Sequence, residues 1–311
     1  MSERKPLSSY RAPETWPVWL GMGLLWLVCR LPNGPAYAIG RMLGRMAHRL
    51  GGSRRAVVRR NIELCFPELS TEECDALAYE HFKALGVSLI EMGLGRWASV
   101  ERLERNTELV GLEHLQGALD SGRGVIMLSA HFTTLEIMGR VLAVNTAPFD
   151  GVYRKNRSEF ITELQRTGRE RSVDQTIEKR DIKRMVRALR EGRAVWYAPD
   201  QSYNRKGSEI IEFFGVPSMH TTATSTLARL GNAVVIPFFP ERRPDGRYVF
   251  TLFPPFDDFP SDDLVADTKR YVEALERHIR RVPEQYFWVH RKFKDLPEGY
   301  PDYYADLDAL K

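Results

Sequence analysis

The sequence has few cysteines and no arrangement of residues typical of a metal site. Three cysteines occur in 311 residues, Cys29, Cys65 and Cys74, and they form neither a CxxC pair nor a zinc-ligand spacing. There is no HExxH motif, and the histidines are scattered along the chain. A zinc site is therefore disfavoured, and the odd, sparse set of thiols indicates a reducing compartment with buried cysteines.

The chain also lacks an apolar run of the usual membrane-spanning length. Residues 15–29 (TWPVWLGMGLLWLVC) carry no charge and include three tryptophans, whereas a full span takes about 20 apolar residues. Glu3 and Glu14 dilute the positive charge that a secretory signal needs, and no clear A-x-A site follows. Because tryptophan favours the water–lipid boundary, we interpret 15–29 as a membrane-dipping or marginally spanning anchor, with a buried core helix as the alternative.

Acidic residues are absent from 41–60, where seven arginines and one histidine occur. Apolar residues recur at helical spacing among these arginines, which is typical of an amphipathic segment lying on an anionic cytoplasmic leaflet. A solvated basic face is the alternative. The net charge of +4 fits an acidic partner. Nucleic acid is disfavoured, because no zinc finger, RNP motif or basic zipper accompanies the charge.

The pattern of short apolar runs predicts the fold class. Residues 1–115 are typical of helices, and the remainder alternates between buried strands and amphipathic helices, which predicts an α/β fold with a mixed, mostly parallel sheet flanked by helices. The expected strands are 124–130, 194–200, 233–239 and an antiparallel edge at 247–253, and the expected helices are 133–144, 158–170, 181–191, 218–230 and 262–281. We divide the chain into a membrane anchor with a basic amphipathic segment (1–60) and a catalytic domain (61–311).

Two proton-handling residues follow the first expected strand. In SAHFTTLE, His131 comes directly after the apolar run, and Glu136 lies in the first turn of the next helix. Groups that follow the carboxyl ends of strands collect at one edge of an open α/β sheet. We expect the Glu136 carboxylate to accept from one ring nitrogen of His131, leaving the other to take a proton from a hydroxyl. A purely structural His–Glu pair is the alternative.

Further basic and polar residues occur near expected strand ends. Arg154, Arg169 and Arg171 could neutralise phosphates or bind a carbonyl-bearing donor. Asp200 and Gln201 end the run AVWYA and are the remaining candidates for substrate binding, although Pro-Asp is also ordinary turn chemistry.

These motifs together resemble a known family. HFTTLE, YRKNRS, GRERS, VWYAPDQSY, VIPFF and PEQYFWVHRKFK are similar to stretches of the bacterial lipid A late acyltransferases, within the lysophospholipid acyltransferase superfamily. The resemblance covers about residues 15–300. It implies a glycerolipid acyltransferase-like fold and transfer of an acyl chain from acyl carrier protein to a hydroxyl of a Kdo-linked lipid A precursor. It also implies no cofactor, and a location at the cytoplasmic face of the inner membrane among its lipids.

By position, the resemblance implies that His131 and Glu136 are catalytic and that Arg169 and Asp200 are functionally important. Two alternatives remain open. Acylation of a lysophospholipid or glycerol phosphate is disfavoured, because that branch usually carries H-x4-D and an EGTR-like element, whereas this chain has Glu136 and APDQ. A non-catalytic protein of the membrane surface would use only the apolar and arginine-rich segments.

Overall fold

A computed structural model describes residues 5–146, 148–153, 156, 158–170 and 172–308. The α-helices are α1 Trp16–Val28, α2 Asn33–Leu50, α3 Gly52–Cys65, α4 Thr71–Trp97, α5 Val100–Glu104, α6 Leu112–Asp120, α7 Leu135–Asn145, α8 Glu159–Arg169, α9 Ile182–Arg190, α10 Ala223–Gly231, α11 Leu264–Arg281 and α12 Ala305–Asp308. The strands are β1 Thr107–Val110, β2 Val125–Leu128, β3 Phe149–Tyr153, β4 Gln175–Glu178, β5 Ala194–Tyr197, β6 Ser208–Phe213, β7 Val216–Thr221, β8 Val234–Arg242 and β9 Tyr248–Leu252.

Seven of these strands form one sheet in the order β1-β9-β8-β2-β5-β3-β4. Every neighbouring pair is parallel except β8 and β9, which are antiparallel and joined by a short turn. The predicted α/β fold with a mixed, mostly parallel sheet is therefore confirmed. The predicted edge position of 247–253 is wrong, because β1 adds parallel to β9 on its outer side.

The remaining strands were not evident in the sequence. β1 (TELV) and β4 (QTIE) are short and polar, so they lack the apolar run that marks a buried strand. β6 and β7 form a separate antiparallel hairpin, and β7 occupies the start of the segment expected to be helical at 218–230. Phe214 and Gly215 make its two-residue turn, with φ values of 54° and 76°. Positive φ values at both turn residues give a backbone twist that matches the right-handed twist of the two strands.

The sheet is buried on both faces. Along β2, Ile126 and Leu128 pack into one apolar cluster, while Val125 and Met127 pack into another. Successive side chains of a strand point to opposite faces, so both faces of β2 are covered. This explains why the strand reads as a continuous apolar run.

Glycines bring two N-terminal helices into close contact. α2 crosses α4 with Gly40 and Gly44 facing Gly86, and the backbones approach so closely that a Cβ atom at any of the three would collide with a backbone atom of the other helix. Glycine allows this close packing because it has no side chain to separate the two backbones. The glycine face of α2 is therefore buried, and Met42, Met46 and Leu50 on its other side are exposed.

The first helix is shorter than a membrane span. α1 has 13 residues, a length of about 20 Å, whereas the hydrocarbon core of a bilayer is about 30 Å thick. Among the described residues, no helix is both long and apolar enough to cross a bilayer. A spanning anchor at 15–29 is therefore not supported. The division at residue 60 falls within α3 and stays a prediction.

The α2–α4 contact makes a testable prediction about stability. Gly44→Val places a branched side chain against the carbonyl oxygen of Phe82, and we expect it to lower the free energy of unfolding by about 1–3 kcal/mol or more. Gly34→Ala in the same helix is the matched control, since nothing lies within 4 Å of its added Cβ. Denaturant unfolding of the two variants in detergent is the measurement, and equal stabilities would contradict the packing described for α2.

Candidate active site

Two neighbouring parallel strands bring His131 and Asp200 together. In the pairing of β2 with β5, Leu128 lies opposite Tyr197. His131 follows Leu128 by three residues, and Asp200 follows Tyr197 by three residues. The hydrogen bond of 2.8 Å from Ser129 N to Tyr197 O extends the ladder beyond the strands. Equal offsets from paired residues place the two side chains side by side at the carboxyl edge of the sheet.

The two side chains form a hydrogen-bonded pair whose carboxylate is buried. His131 Nδ1 lies 2.6 Å from Asp200 Oδ1. The Asp200 side chain is 2% exposed, whereas that of His131 is 30% exposed, and among the described residues Nε2 of His131 has no hydrogen-bond partner. Burial opposes the charge on each group. Asp200 nevertheless raises the pKa of His131, and His131 together with Lys292 lowers the pKa of Asp200 to about 2.

A third segment completes the surroundings of Asp200. The chain after α11 runs beside residues 131–133, where Phe287 N donates to His131 O (3.0 Å) and Thr133 N donates to Gln285 O (2.9 Å). This pairing carries Tyr286 to Asp200, and its hydroxyl donates to Oδ2 over 3.1 Å. Both carboxylate oxygens of Asp200 therefore accept a hydrogen bond, which fixes the plane of the carboxylate.

α3 holds that third segment in place. Asn61 Nδ2 donates to the carbonyl oxygens of Trp288 and His290, at 2.7 Å each. The hydroxyl of Tyr304 donates to Oδ1 of Asn61 and accepts from the amide of Phe293. Asn61, Trp288 and Tyr304 are fully or almost fully buried, so these bonds compete little with water.

Glu136 has a different partner from the one expected. Its carboxylate accepts from Arg169, with Nε 3.1 Å from Oε1 and one terminal nitrogen of the guanidinium on the same oxygen. The expected hydrogen bond from His131 to Glu136 is therefore wrong, since Asp200 occupies the Nδ1 side of the ring. Burial works against the charge on Arg169, but Glu136 raises its pKa above the ordinary value.

A cavity lies beside this second pair. Glu136 and Arg169 are its charged groups, Tyr153, Ser172 and Thr176 add polar atoms, and apolar side chains and glycines form the rest. Its lining includes Leu135, Met138, Gly139, Phe149, Gly151, Val152, Val173 and Trp196. The site thus contains a histidine with one ring nitrogen free to accept a proton, and an arginine that is held by a carboxylate at a largely apolar cavity.

The other expected site residues are less involved. Gln201 follows Asp200 and borders a small cleft with Tyr286, His290 and Lys292. Arg154 and Arg171 lie outside the described residues. Within the part of the chain that the structure describes, no group of three or more histidine, cysteine or acidic side chains is arranged to hold a metal ion.

Comparison with known proteins decides the family. The family model described as bacterial lipid A biosynthesis acyltransferase matches residues 3–295. The chain belongs to this family. It is 39% identical to the lipid A biosynthesis lauroyltransferase of Escherichia coli K12, with 94% of this chain and 96% of the relative covered. It is 36% identical to the palmitoleoyltransferase of that strain (92% and 94% covered) and 28% identical to its myristoyltransferase (94% and 91% covered).

Two further residues of the site, Tyr286 and Lys292, were not identified from the sequence. Both belong to PEQYFWVHRKFK, a motif used for the resemblance without a role for any residue in it. Tyr286 contacts the Asp200 carboxylate, and Lys292 Nζ donates to the Asp200 carbonyl oxygen over 2.7 Å. The available signal was a run of basic side chains within an aromatic-rich segment, because a lysine buried there needs a partner.

The arrangement can take a proton from a bound hydroxyl. Asp200 accepts at Nδ1 of His131, so it favours the tautomer with a proton on Nδ1 and leaves the lone pair of Nε2 free. When Nε2 takes a proton, the buried carboxylate stabilises the imidazolium. A histidine with a raised pKa remains a usable base near neutral pH.

We predict that Asp200→Asn changes both the rate and its dependence on pH. Without the carboxylate, burial dominates and the pKa of His131 falls below its ordinary value of about 6.5. Since only neutral His131 accepts a proton, the rise of kcat/KM with pH should level off at a lower pH than in the unmodified protein, with a plateau about 10²–10⁴-fold lower.

The measurement is a pH profile of kcat/KM for the purified enzyme, with Asp245→Asn as the matched control. Asp245 lies in the β8–β9 turn and is paired with Arg247, so its loss should leave the profile unchanged. A profile for Asp200→Asn that levels off at the same pH as that of the unmodified protein would contradict the role of Asp200.

Proposed function

We propose that this protein transfers a fatty acyl chain from acyl carrier protein to a hydroxyl of a Kdo-linked lipid A precursor. The observation that carries the proposal is His131, held at Nδ1 by a buried carboxylate and without a partner at Nε2 among the described residues. Arg169, whose charge acts on His131, lines a largely apolar cavity. The relatives named for lipid A biosynthesis support the acceptor. Their names differ in the acyl group, which supports a shared reaction with varied donors.

The reaction needs no nucleophile from the protein. Nε2 of His131 takes the proton of the acceptor hydroxyl, and the oxygen of that hydroxyl attacks the thioester carbonyl of the donor. The tetrahedral intermediate collapses to the new ester, the carbon–sulfur bond breaks, and the imidazolium returns its proton to the departing thiolate. Asp200 remains ionised throughout and stabilises the imidazolium.

Arg169 and Glu136 act as a unit in this proposal. The carboxylate fixes the guanidinium at the cavity, where Arg169 can donate to the oxyanion of the intermediate or to a phosphate of the acceptor. In this proposal Glu136 positions Arg169 and does not contact His131. Arg154, Arg171 and Gln201 remain proposed substrate contacts.

The apolar cavity is the proposed place for the acyl chain. An acyl chain is bound by area removed from water, at about 25 cal/mol per Å². The cavity meets the Glu136–Arg169 pair at its polar part, so a chain within it would place its carbonyl near that pair. This orientation brings the thioester to the edge of the sheet where His131 lies.

The N-terminal helices are the proposed contact with inner-membrane lipids. On α1, Trp16, Leu20, Leu24 and Leu27 are exposed at helical spacing, with exposed fractions of 56–67%. On α2, the exposed methionines alternate with arginines. Apolar side chains beside basic ones favour the interface of an anionic leaflet. This supports the proposed location at the cytoplasmic face, where a lipid-linked acceptor would be within reach.

Deletion and complementation test the activity. Cells lacking the gene should make a lipid A that is one acyl chain lighter, and mass spectrometry should show the missing mass restored by the unmodified gene but not by His131→Ala. Gln116→Ala, at an exposed position of α6, is the control. Lipid A unchanged by the deletion would point to a lysophospholipid or glycerol phosphate acceptor.

The acyl donor is tested with purified enzyme. We expect acyl carrier protein loaded with a fatty acid to support transfer to the precursor, and the same fatty acid on coenzyme A to be a weaker donor. Equal kcat/KM for the two thioesters would remove the carrier protein from the proposal. It would not affect the role of His131.

The lipid contact predicts a change in fractionation. Leu20→Asp with Leu24→Asp should move protein from the membrane fraction to the supernatant, because charged groups are costly in the interface. Leu230→Asp on α10 is the matched control, since Leu230 is exposed to a similar extent but far along the chain from α1. Retention of the double variant in membranes after a high-salt wash would argue against α1 as a lipid contact.

A further inference from the structure

Lys292 is a charged side chain that the proposed reaction does not use. It is 3% exposed, and the cost of burying an ammonium must be offset by partners. Nζ donates to Asp200 O over 2.7 Å, lies 3.3 Å from Nε2 of His220, and sits 4.8 Å from the ring centre of Phe213. Lys292 therefore contacts Asp200, the residue that pairs with His131, on the main-chain side.

The surroundings of Lys292 leave Asp200 as its principal charge partner. Burial lowers the pKa of Lys292 to about 8, and Asp200 is the largest opposing influence, ahead of Cys65 and Glu276. His220 is held neutral, because burial and Lys292 both lower its pKa, and its Nε2 also contacts Ser218 Oγ at 2.8 Å. At neutral pH most of Lys292 is protonated, so the Asp200–Lys292 pair carries no net charge.

We propose that Lys292 is a positioning residue, which holds the backbone at Asp200 so that the carboxylate meets Nδ1 of His131. This inference rests on the proposed role of His131 as the base. Asp200 is fixed at three atoms by three different partners: His131 at Oδ1, Tyr286 at Oδ2 and Lys292 at the carbonyl oxygen. The first two bonds are to rotatable groups at the side-chain end, whereas the third fixes the main chain of the loop that follows β5.

The test measures the protonation of His131 directly. Deuterium exchange at the ring carbon of each histidine, followed by mass spectrometry over a range of pH, reports the pKa of His131 without any substrate. Charged or titratable groups near His131 are Asp200, Arg169, Lys179 and His290, with Tyr286 and Lys292 beyond Asp200. His48 on α2 serves as an internal reference in each sample.

Lys292→Met removes both the donor and the cation. If Lys292 positions Asp200, the pKa of His131 should fall toward its value in Asp200→Asn, by about one unit. kcat should fall about 10–100-fold with KM little changed, because Lys292 is 3% exposed and its Nζ is already engaged by Asp200 O and His220. Lys269→Met, at an exposed position of α11, should leave both quantities unchanged.

Other results would overturn the proposal. An unchanged pKa of His131 in folded Lys292→Met would mean that Asp200 keeps its place without the lysine. A higher pKa would mean that Lys292 acts only as a nearby positive charge, since removing a cation makes a base stronger. Loss of kcat with an unchanged histidine titration would likewise assign the lysine to a different step.

A second variant decides the matter if Lys292→Met does not fold. Lys292→Gln keeps an N–H donor for the Asp200 carbonyl and lacks the charge, so positioning predicts a pKa of His131 at or above that of the unmodified protein. A fall to the Asp200→Asn value would overturn the proposal. Because the titration needs no acyl donor, its outcome stands apart from the activity. A failure of His131→Ala to abolish transfer would count against His131 as the base, whereas the titration alone decides whether Lys292 positions Asp200.

Discussion

The register between β2 and β5 is the constraint on which the site depends. With Leu128 opposite Tyr197, the third residue beyond each strand is His131 on one side and Asp200 on the other. A shift of one residue would move every side chain of a strand to the opposite face. Such a shift is costly here, because both faces of β2 are buried in apolar clusters. Core packing therefore fixes the distance between His131 and Asp200.

The site also depends on the way its charges are divided. His131 pairs with Asp200, and Arg169 pairs with Glu136 at the cavity. His131 and Arg169 thus have separate carboxylate partners, so the two pairs can serve different parts of the proposed reaction. In that proposal the first takes the proton of the acceptor, and the second presents positive charge to the donor carbonyl or a phosphate.

The fold class and His131, the proposed base, could be predicted from the sequence because they leave local signals. The apolar runs that became β2, β5 and β8 indicated a sheet, and His131 followed one of them. The partner of His131 could not be predicted in the same way. Glu136 is near in sequence, whereas Asp200 is near only because β2 and β5 are neighbours, and strand order is not written in local spacing. Tyr286 and Lys292 depend on a still longer-range contact.

The contact between residues 131–133 and 285–287 has a consequence for how the protein is made. Asp200 emerges from the ribosome long before Tyr286 and Lys292, and Asn61 must wait for Trp288 and His290 before its amide is satisfied. The surroundings of Asp200 are therefore incomplete on a partly synthesised chain. Contacts so distant in sequence form late in folding, so in the proposed mechanism a nascent chain would be inactive until its last-synthesised segment folds onto the sheet.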